Sequence, residues 1–346
     1  MEEAMKDNKV KQALTSTKMI LVYIILVFCL IVGLRQPAFF SPATIITIAR
    51  AGIFTMCFAL CEMIVILSGG IDVSFPAIGC AAMYIPMYII NQVNHVNNAA
   101  YAFLLAILIG LALGLLNGFL VSILNIPPLI ATLATSSIVS GGMVTILGTR
   151  EFTTLPSSLQ AIYNTNIIKY TAPKTGFTYL LNVLILVPII ACILVHFMLK
   201  HTMLGRGLYA IGGDKNAARM AGFNVRRLQF FAYVFSGVFT GITAMMYNIL
   251  MHSATTSALM GDEMITIAAC VIGGVRITGG YGDVLGTFLG VLLITMVQNN
   301  LNMLGIPTSW QTFMVGIVIL VGTILTSWQA KRSARAARRN REEVGR

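Results

Sequence analysis

Apolar runs of bilayer length recur along almost the whole chain, and no other feature constrains its fold so tightly. They lie near residues 19–34, 45–67, 76–90, 99–124, 127–148, 178–199, 230–250, 262–275, 282–300 and 305–327. A helix rises about 1.5 Å per residue, so about 20 mostly apolar residues cross the ~30 Å hydrocarbon core. The runs are continuous rather than alternating, which excludes a membrane β-barrel. Apolar residues make up 57% of the 346 and charged residues only 10%, too few to coat a water-soluble fold of this size. The expected fold class is an all-α polytopic membrane protein with about ten transmembrane helices. The windows at 76–90 and 262–275 are short and read as broken or re-entrant helices, which are tolerated where protein buries them or they line a cavity.

Charge orients these spans. Of 23 Lys and Arg, four precede the first span, six fall between residues 200 and 229, and seven follow Trp328. The net charge of +11 is therefore concentrated in three clusters, a topogenic pattern that also favours an anionic lipid leaflet rather than nucleic acid. Ten crossings put both termini and the 200–229 loop on one side, and the positive-inside rule makes that side cytoplasmic. Residues 1–18 are then a cytoplasmic segment, 19–327 a transmembrane domain with a cytoplasmic loop at 200–229, and 328–346 a basic cytoplasmic tail. Met19–Leu34 is followed by Arg35-Gln36-Pro37 rather than a small-x-small cleavage site, so it reads as an uncleaved first span. The outward loop Thr149–Phe177 is mixed in charge; it is either a plain connector or a short surface helix that receives an external partner.

Several chemistries are disfavoured. The six Cys lie in apolar runs without metal-ligand spacing, and the four His are scattered, so neither a metal nor a cofactor is expected. Leu67-Ser68-Gly69-Gly70 matches the start of an ATPase signature, but the chain has no GxxxxGK[ST] phosphate loop and does not itself hydrolyse nucleotide. No cluster of nucleophile and base suggests an enzyme.

Small and polar residues inside the spans carry more information. Gly110, Gly114 and Gly118 form one ladder at fourfold spacing, and Gly282, Gly286 and Gly290 another, with Gly237 and Gly241 adding one step. On a helix this spacing lines glycines along one stripe and lets backbones approach closely. The two ladders, each followed by an Ile-Pro pair, hint at an internal duplication. Arg50 and Glu62 lie in the second span about 18 Å and about 120° apart, so they do not pair with each other. Glu62, Asn117, Thr132, Ser136, Asn248, Gln298 and Asn299 are candidates to line a path for a neutral polyhydroxylated solute. Interhelical hydrogen bonding is the alternative for each.

Four blocks in order resemble the permease subunit of bacterial ABC importers for ribose, xylose and related monosaccharides, a family that includes permeases for a furanosyl autoinducer. They are LSGGIDVS (Leu67 to Ser74), GLLNGFLVSILNIPPLIATLAT (Gly114 to Thr135), GRGLYAIGGDKNAARMAGFNV (Gly205 to Val225) and VIGGVRITGGYGDVLGTFLG (Val271 to Gly290). The resemblance runs from about Ala43 to Trp328. It implies a cytoplasmic helix that docks a separate ATPase, around Gly213, Asp214, Asn216, Ala217, Ala218, Arg219, Gly222 and Asn224. Asp214 suits an N-cap, Ala217 and Ala218 a close helix approach, and Gly222 a C-cap. Asn216 departs from the family, which often has Glu there. The resemblance also implies a second permease subunit and an extracytoplasmic sugar-binding protein. Gly222→Pro or Ala218→Glu is expected to uncouple transport.

Overall fold

The computed structural model describes residues 17–173 and 176–301, with single positions 307, 310, 313, 316, 317, 320 and 324 beyond them. Helix α1 covers Thr17–Arg35, and a 3-10 turn at Pro37–Phe40 leads into α2, Pro42–Leu67. Next come α3 (Phe75–Tyr88, continued by a π-helical turn Ile89–Asn94), α4 (Ala99–Gly118, continued by Phe119–Ile123) and α5 (Pro128–Leu147). A short helix α6 (Ser157–Asn164) and a hairpin of β1 (Asn166–Thr171) and β2 (Thr178–Asn182) precede α7, Leu186–His201. The chain goes on through α8 (Met203–Gly213), α9 (Lys215–Met220), α10 (Val225–Met251), α11 (Asp262–Ile272) and α12 (Val284–Asn300).

Among the described residues, six helices are long and apolar enough to cross a membrane: α1, α2, α5 and α10, and α4 and α7 with their adjoining turns. The two windows expected to be broken are α3, with Pro86 inside it, and α11, only 11 residues long. The tenth run, 305–327, lies largely outside the described residues, as do the N-terminal segment up to residue 16 and the basic tail.

Local chemistry explains where several helices begin. Ser41 accepts from Thr44 N at 3.4 Å ahead of Pro42, which suits the first helical turn because its missing N–H is not needed there. Asn98 caps α4 through Ala100 N at 2.9 Å, and Asp283 caps α12 through Gly286 N at 2.7 Å. At the other end of α10, Arg50 Nη2 donates to Leu250 O at 3.0 Å, placing a cation on the last carbonyls of that helix. Arg50 is thus engaged by a helix C-terminus and not by Glu62.

The loops sort into two ends. At one, Lys18 pairs with Asp283, Gly280 N donates to Leu67 O at 3.1 Å, and Tyr209 Oη donates to Gly282 O at 2.7 Å. At the other, Ser158 N donates to Asn97 Oδ1 at 2.8 Å, Ser253 Oγ to Glu151 Oε1 at 2.6 Å, and Phe152 pairs with Ala254. Successive loops alternate between these ends, as an up-and-down bundle requires.

The central crossing is α4 on α10, and glycine makes it possible. A Cβ on Gly110 would stand against Gly237 O, one on Gly237 against Gly110 O, and one on Gly241 against Ala106 O, all closer than real Cβ atoms approach. The first ladder therefore faces the Gly237–Gly241 step directly. The second ladder is shorter than expected. Gly286 and Gly290 pack on Gly273 and Ala269 of the α11–α12 hairpin, but Gly282 precedes the helix, with φ +154, and lies against Val275. Asp283 starts the helix one residue later, so Gly282 is a turn glycine.

The expected span at 178–199 needs correction, and the mostly helical chain also carries one small β-hairpin among the described residues. Residues 178–182 pair antiparallel with 166–171, and the helix starts only at Leu186. Thr-Tyr-Leu-Leu is apolar enough to extend a hydrophobic window, but a short apolar run does not distinguish strand from helix.

Candidate functional site

Two features stand out, one exposed at the basic end and one buried just beneath it. The exposed feature is the 202–224 segment. Thr202 caps α8 through Gly205 N at 3.2 Å, and a single residue, Asp214, joins α8 to α9. Asp214 Oδ1 accepts from Asn216 N at 2.7 Å and Ala217 N at 3.0 Å, which satisfies two of the orphan donors of the helix start. These two N–H groups hold the Asp214 carboxyl below the ordinary carboxylate range. The cap therefore persists as pH falls, until the acid itself is protonated. At the far end Gly222 has φ +86; Gly222 N donates to Arg219 O and Phe223 N to Ala218 O, each at 3.0 Å. That is a Schellman ending, and it needs the left-handed conformation that glycine adopts freely. Asn224 then caps α10 through Arg227 N at 3.0 Å.

The result is a rigid six-residue tip. Lys215, Asn216, Ala217, Arg219 and Met220 are exposed on it, as are Gly213, Asp214 and Gly222 beside it. Ala218 is buried, a member of the same large apolar cluster as Val225. It cannot offer its methyl to a partner, so of the Ala217–Ala218 pair only Ala217 is available for an outside contact. An Ala218→Glu change would bury a carboxylate and damage the tip itself, and does not isolate docking.

Beneath the tip, residues 68–74 run without helix between α2 and α3 and are tied down by side chains from four helices. Asp72 Oδ1 accepts from Ser74 N at 2.8 Å and Ser74 Oγ at 2.6 Å, and Asp72 Oδ2 from Ser236 Oγ at 3.3 Å. Asp72 N donates to Glu62 Oε1 at 3.3 Å. Asn117 Nδ2 donates to Ser74 Oγ at 2.7 Å, Thr135 Oγ1 to Asn117 Oδ1 at 2.7 Å, and Val73 N to Thr132 Oγ1 at 3.3 Å. All these side chains are buried. The Tyr233 hydroxyl lies against Gly70; it and Glu62 Oε2 have no hydrogen-bond partner among the described residues. Irregular backbone at membrane depth requires such internal satisfaction.

The family described as "Branched-chain amino acid transport system / permease component" matches residues 44–322. The chain belongs to this family. Among its curated relatives is the fructose import permease protein FruG of Bifidobacterium longum, 32% identical over 276 residues, 79% of each chain. The ribose import permease protein RbsC of Bacillus subtilis is 31% identical over 86% of this chain and 89% of its own. The autoinducer 2 import system permease protein LsrC of Yersinia pestis is 30% identical over 86% of this chain and 80% of its own. No solved structure matches.

In this permease the seven candidate path residues do not form one site. Glu62, Asn117 and Thr132 belong to the buried knot, where they present almost no surface to a solute; Ser136 is one residue beyond Thr135, also buried. Asn248 lies near the far end of α10, buried, with neither amide atom paired among the described residues. Gln298 and Asn299 are also at that far end, where Asn299 lines a shallow pocket with Ser41, Thr44 and Tyr179. Asn299 and Asn300 donate back to Thr295 O and Met296 O of their own helix, each at 2.8 Å. The residues that sequence reasoning missed are Asp72, Ser74, Ser236 and Tyr233. An acid two residues after Ser68-Gly69-Gly70 looks like a solvated loop carboxylate, yet it sits between two apolar runs, and that was the available signal.

Proposed function

We propose that this permease is the membrane subunit of an ABC importer for a monosaccharide or similar polyol, paired with a second permease subunit. A separate ATPase drives it, and an extracytoplasmic binding protein delivers the sugar. It sits in the bacterial cytoplasmic membrane with ten crossings and both termini inside. The alternation of loops between two ends supports that topology, and the basic clusters support the orientation. The observation that carries the coupling role is the exposed tip, Lys215–Met220, capped at both ends and therefore able to transmit force without melting. The buried knot supports a path that runs between two permease copies rather than through one, because its polar groups are already engaged with each other. Sugar as cargo rests on the relatives named for fructose, ribose and autoinducer 2 import.

Capturing the intact protein from host membranes in mild detergent is expected to recover an ABC ATPase. Ala217→Glu or Arg219→Glu, both on the exposed face, should lower that recovery about tenfold or more, the effect of a misplaced charge at a packed polar interface. Unchanged recovery would remove the tip from the docking surface. Cargo is read separately, by uptake of labelled D-ribose, D-fructose and L-leucine in cells with and without the chain. Dependence of leucine uptake alone would replace the sugar reading with the amino-acid reading that the family description also carries.

A further inference from the structure

Directly behind the tip, three segments far apart in sequence meet backbone to backbone. Gly212, at the end of α8, lies where its own Cβ would strike Leu67 O and Gly280 N. A Cβ on Gly279 would be 2.8 Å from Gly69 Cα and 2.9 Å from Gly212 Cα, and one on Gly280 would be 2.7 Å from Gly213 N. Gly280 N donates to Leu67 O at 3.1 Å, which closes the triangle, and Tyr209 of α8 holds Gly282 O at 2.7 Å. No side chain stands between the three strands of backbone.

We propose that this glycine joint carries the movement of the docked tip into the membrane, with Gly212 as its positioning residue. The proposal rests on the coupling reading of the tip. Mechanically, α8 connects to α9 through Asp214 alone, so a displaced tip moves α8 as a lever. Backbones in van der Waals contact have no compressible side chain to absorb the displacement. The push divides at the joint. One arm is the end of α2 and the 68–74 segment, leading in a few residues to Asp72 and the buried knot. The other is the 279–283 turn, whose Asp283 caps α12 and pairs with Lys18. A Cβ at Gly212 would wedge α8 away from both arms. Gly141 of α5, outside both the tip and the joint, is the internal control, because a Cβ there meets nothing within 4 Å.

The test uses the permease captured with its ATPase, reconstituted in proteoliposomes and carrying Ile71→Cys as a reporter on the 68–74 segment. The readout is the change in maleimide labelling of that cysteine on adding ATP with vanadate. The unmodified joint and Gly141→Ala are expected to show the same nucleotide-dependent change. Gly212→Ala should keep the ATPase bound yet lose most of the change, and Tyr209→Phe should reduce it by about half with capture unaltered, since it deletes one neutral hydrogen bond. A full nucleotide response in Gly212→Ala overturns the proposal, as does no response in the parent complex with ATPase bound. Should Gly212→Ala prevent assembly, Tyr209→Phe decides, and an unaltered response there overturns it. Failure of the docking reading would look different: Ala217→Glu would leave ATPase capture intact.

Discussion

Gly237→Val is expected to prevent the bundle from assembling. A side chain at this position would meet Gly110 O and would sit 2.7 Å from Gly114 Cα, and neither atom can yield because both belong to the backbone of α4. Helix propensity works the other way, since valine is a slightly better helix former than glycine. The loss must therefore come from the separation of α4 and α10. Overpacking in a well-filled core costs about 1–3 kcal/mol when side chains can adjust, and here backbone must move instead, so at least about 3 kcal/mol is expected. The separation would also pull Asn117 of α4 away from Ser74. The check is the monodispersity and thermal unfolding of the purified protein in mild detergent, with Gly141→Ala as a control where a Cβ meets nothing within 4 Å. A Gly237→Val protein that purifies and melts like its parent would show that the α4–α10 crossing tolerates separation.

Asp72→Ala should be nearly as damaging, for a different reason. The change leaves Ser74 N, Ser74 Oγ and Ser236 Oγ without their acceptor in a buried site. Each orphaned donor costs about 1–3 kcal/mol, so even with partial re-pairing the expected loss is about 3–5 kcal/mol. Asp72→Asn keeps one acceptor oxygen and should be distinctly milder, while Ser136→Ala, next to the knot on α5, should be close to silent. Thermal unfolding of the three variants ranks them. Equal stability for Asp72→Ala and Ser136→Ala would mean that residues 68–74 are held by packing alone.

The ranking of these residues differs from the one that the sequence suggests, and the difference has a physical origin. Glu62 stood out because a carboxylate inside an apolar run has no local explanation. Asp72 did not, because the Gly69-Gly70 pair just before it mimics a solvated turn. Two of its bonds go to Ser74 nearby, but the links that tie the knot to other helices are distant in the chain: Ser236 is 164 residues from Asp72, and the Asn117–Ser74 link spans 43. The ladder Gly282-Gly286-Gly290 failed at one rung because Asp283 is a better helix start than Gly282. Ala218 was read as half of an outward pair, although two neighbours on a helix point about 100° apart and only one of them can face a given partner.

What the sequence determined by itself was whatever depends on neighbours in the chain. Long apolar runs must become helices in a membrane, because backbone polar groups there have no other donor or acceptor. Asp214 and Gly222 bracket α9 because a cap acts within three residues. The proposed sidedness rests on where Lys and Arg collect. The tertiary structure alone decided which small residues meet which, that Gly110 and Gly114 face Gly237, and that Gly69, Gly212 and Gly279 form one joint. It also decided that Asp72, Ser74, Asn117 and Ser236 are bound to one another in a buried knot. Those outcomes rest on contacts between segments tens to hundreds of residues apart, and a glycine carries no chemical mark of the partner that its missing side chain admits.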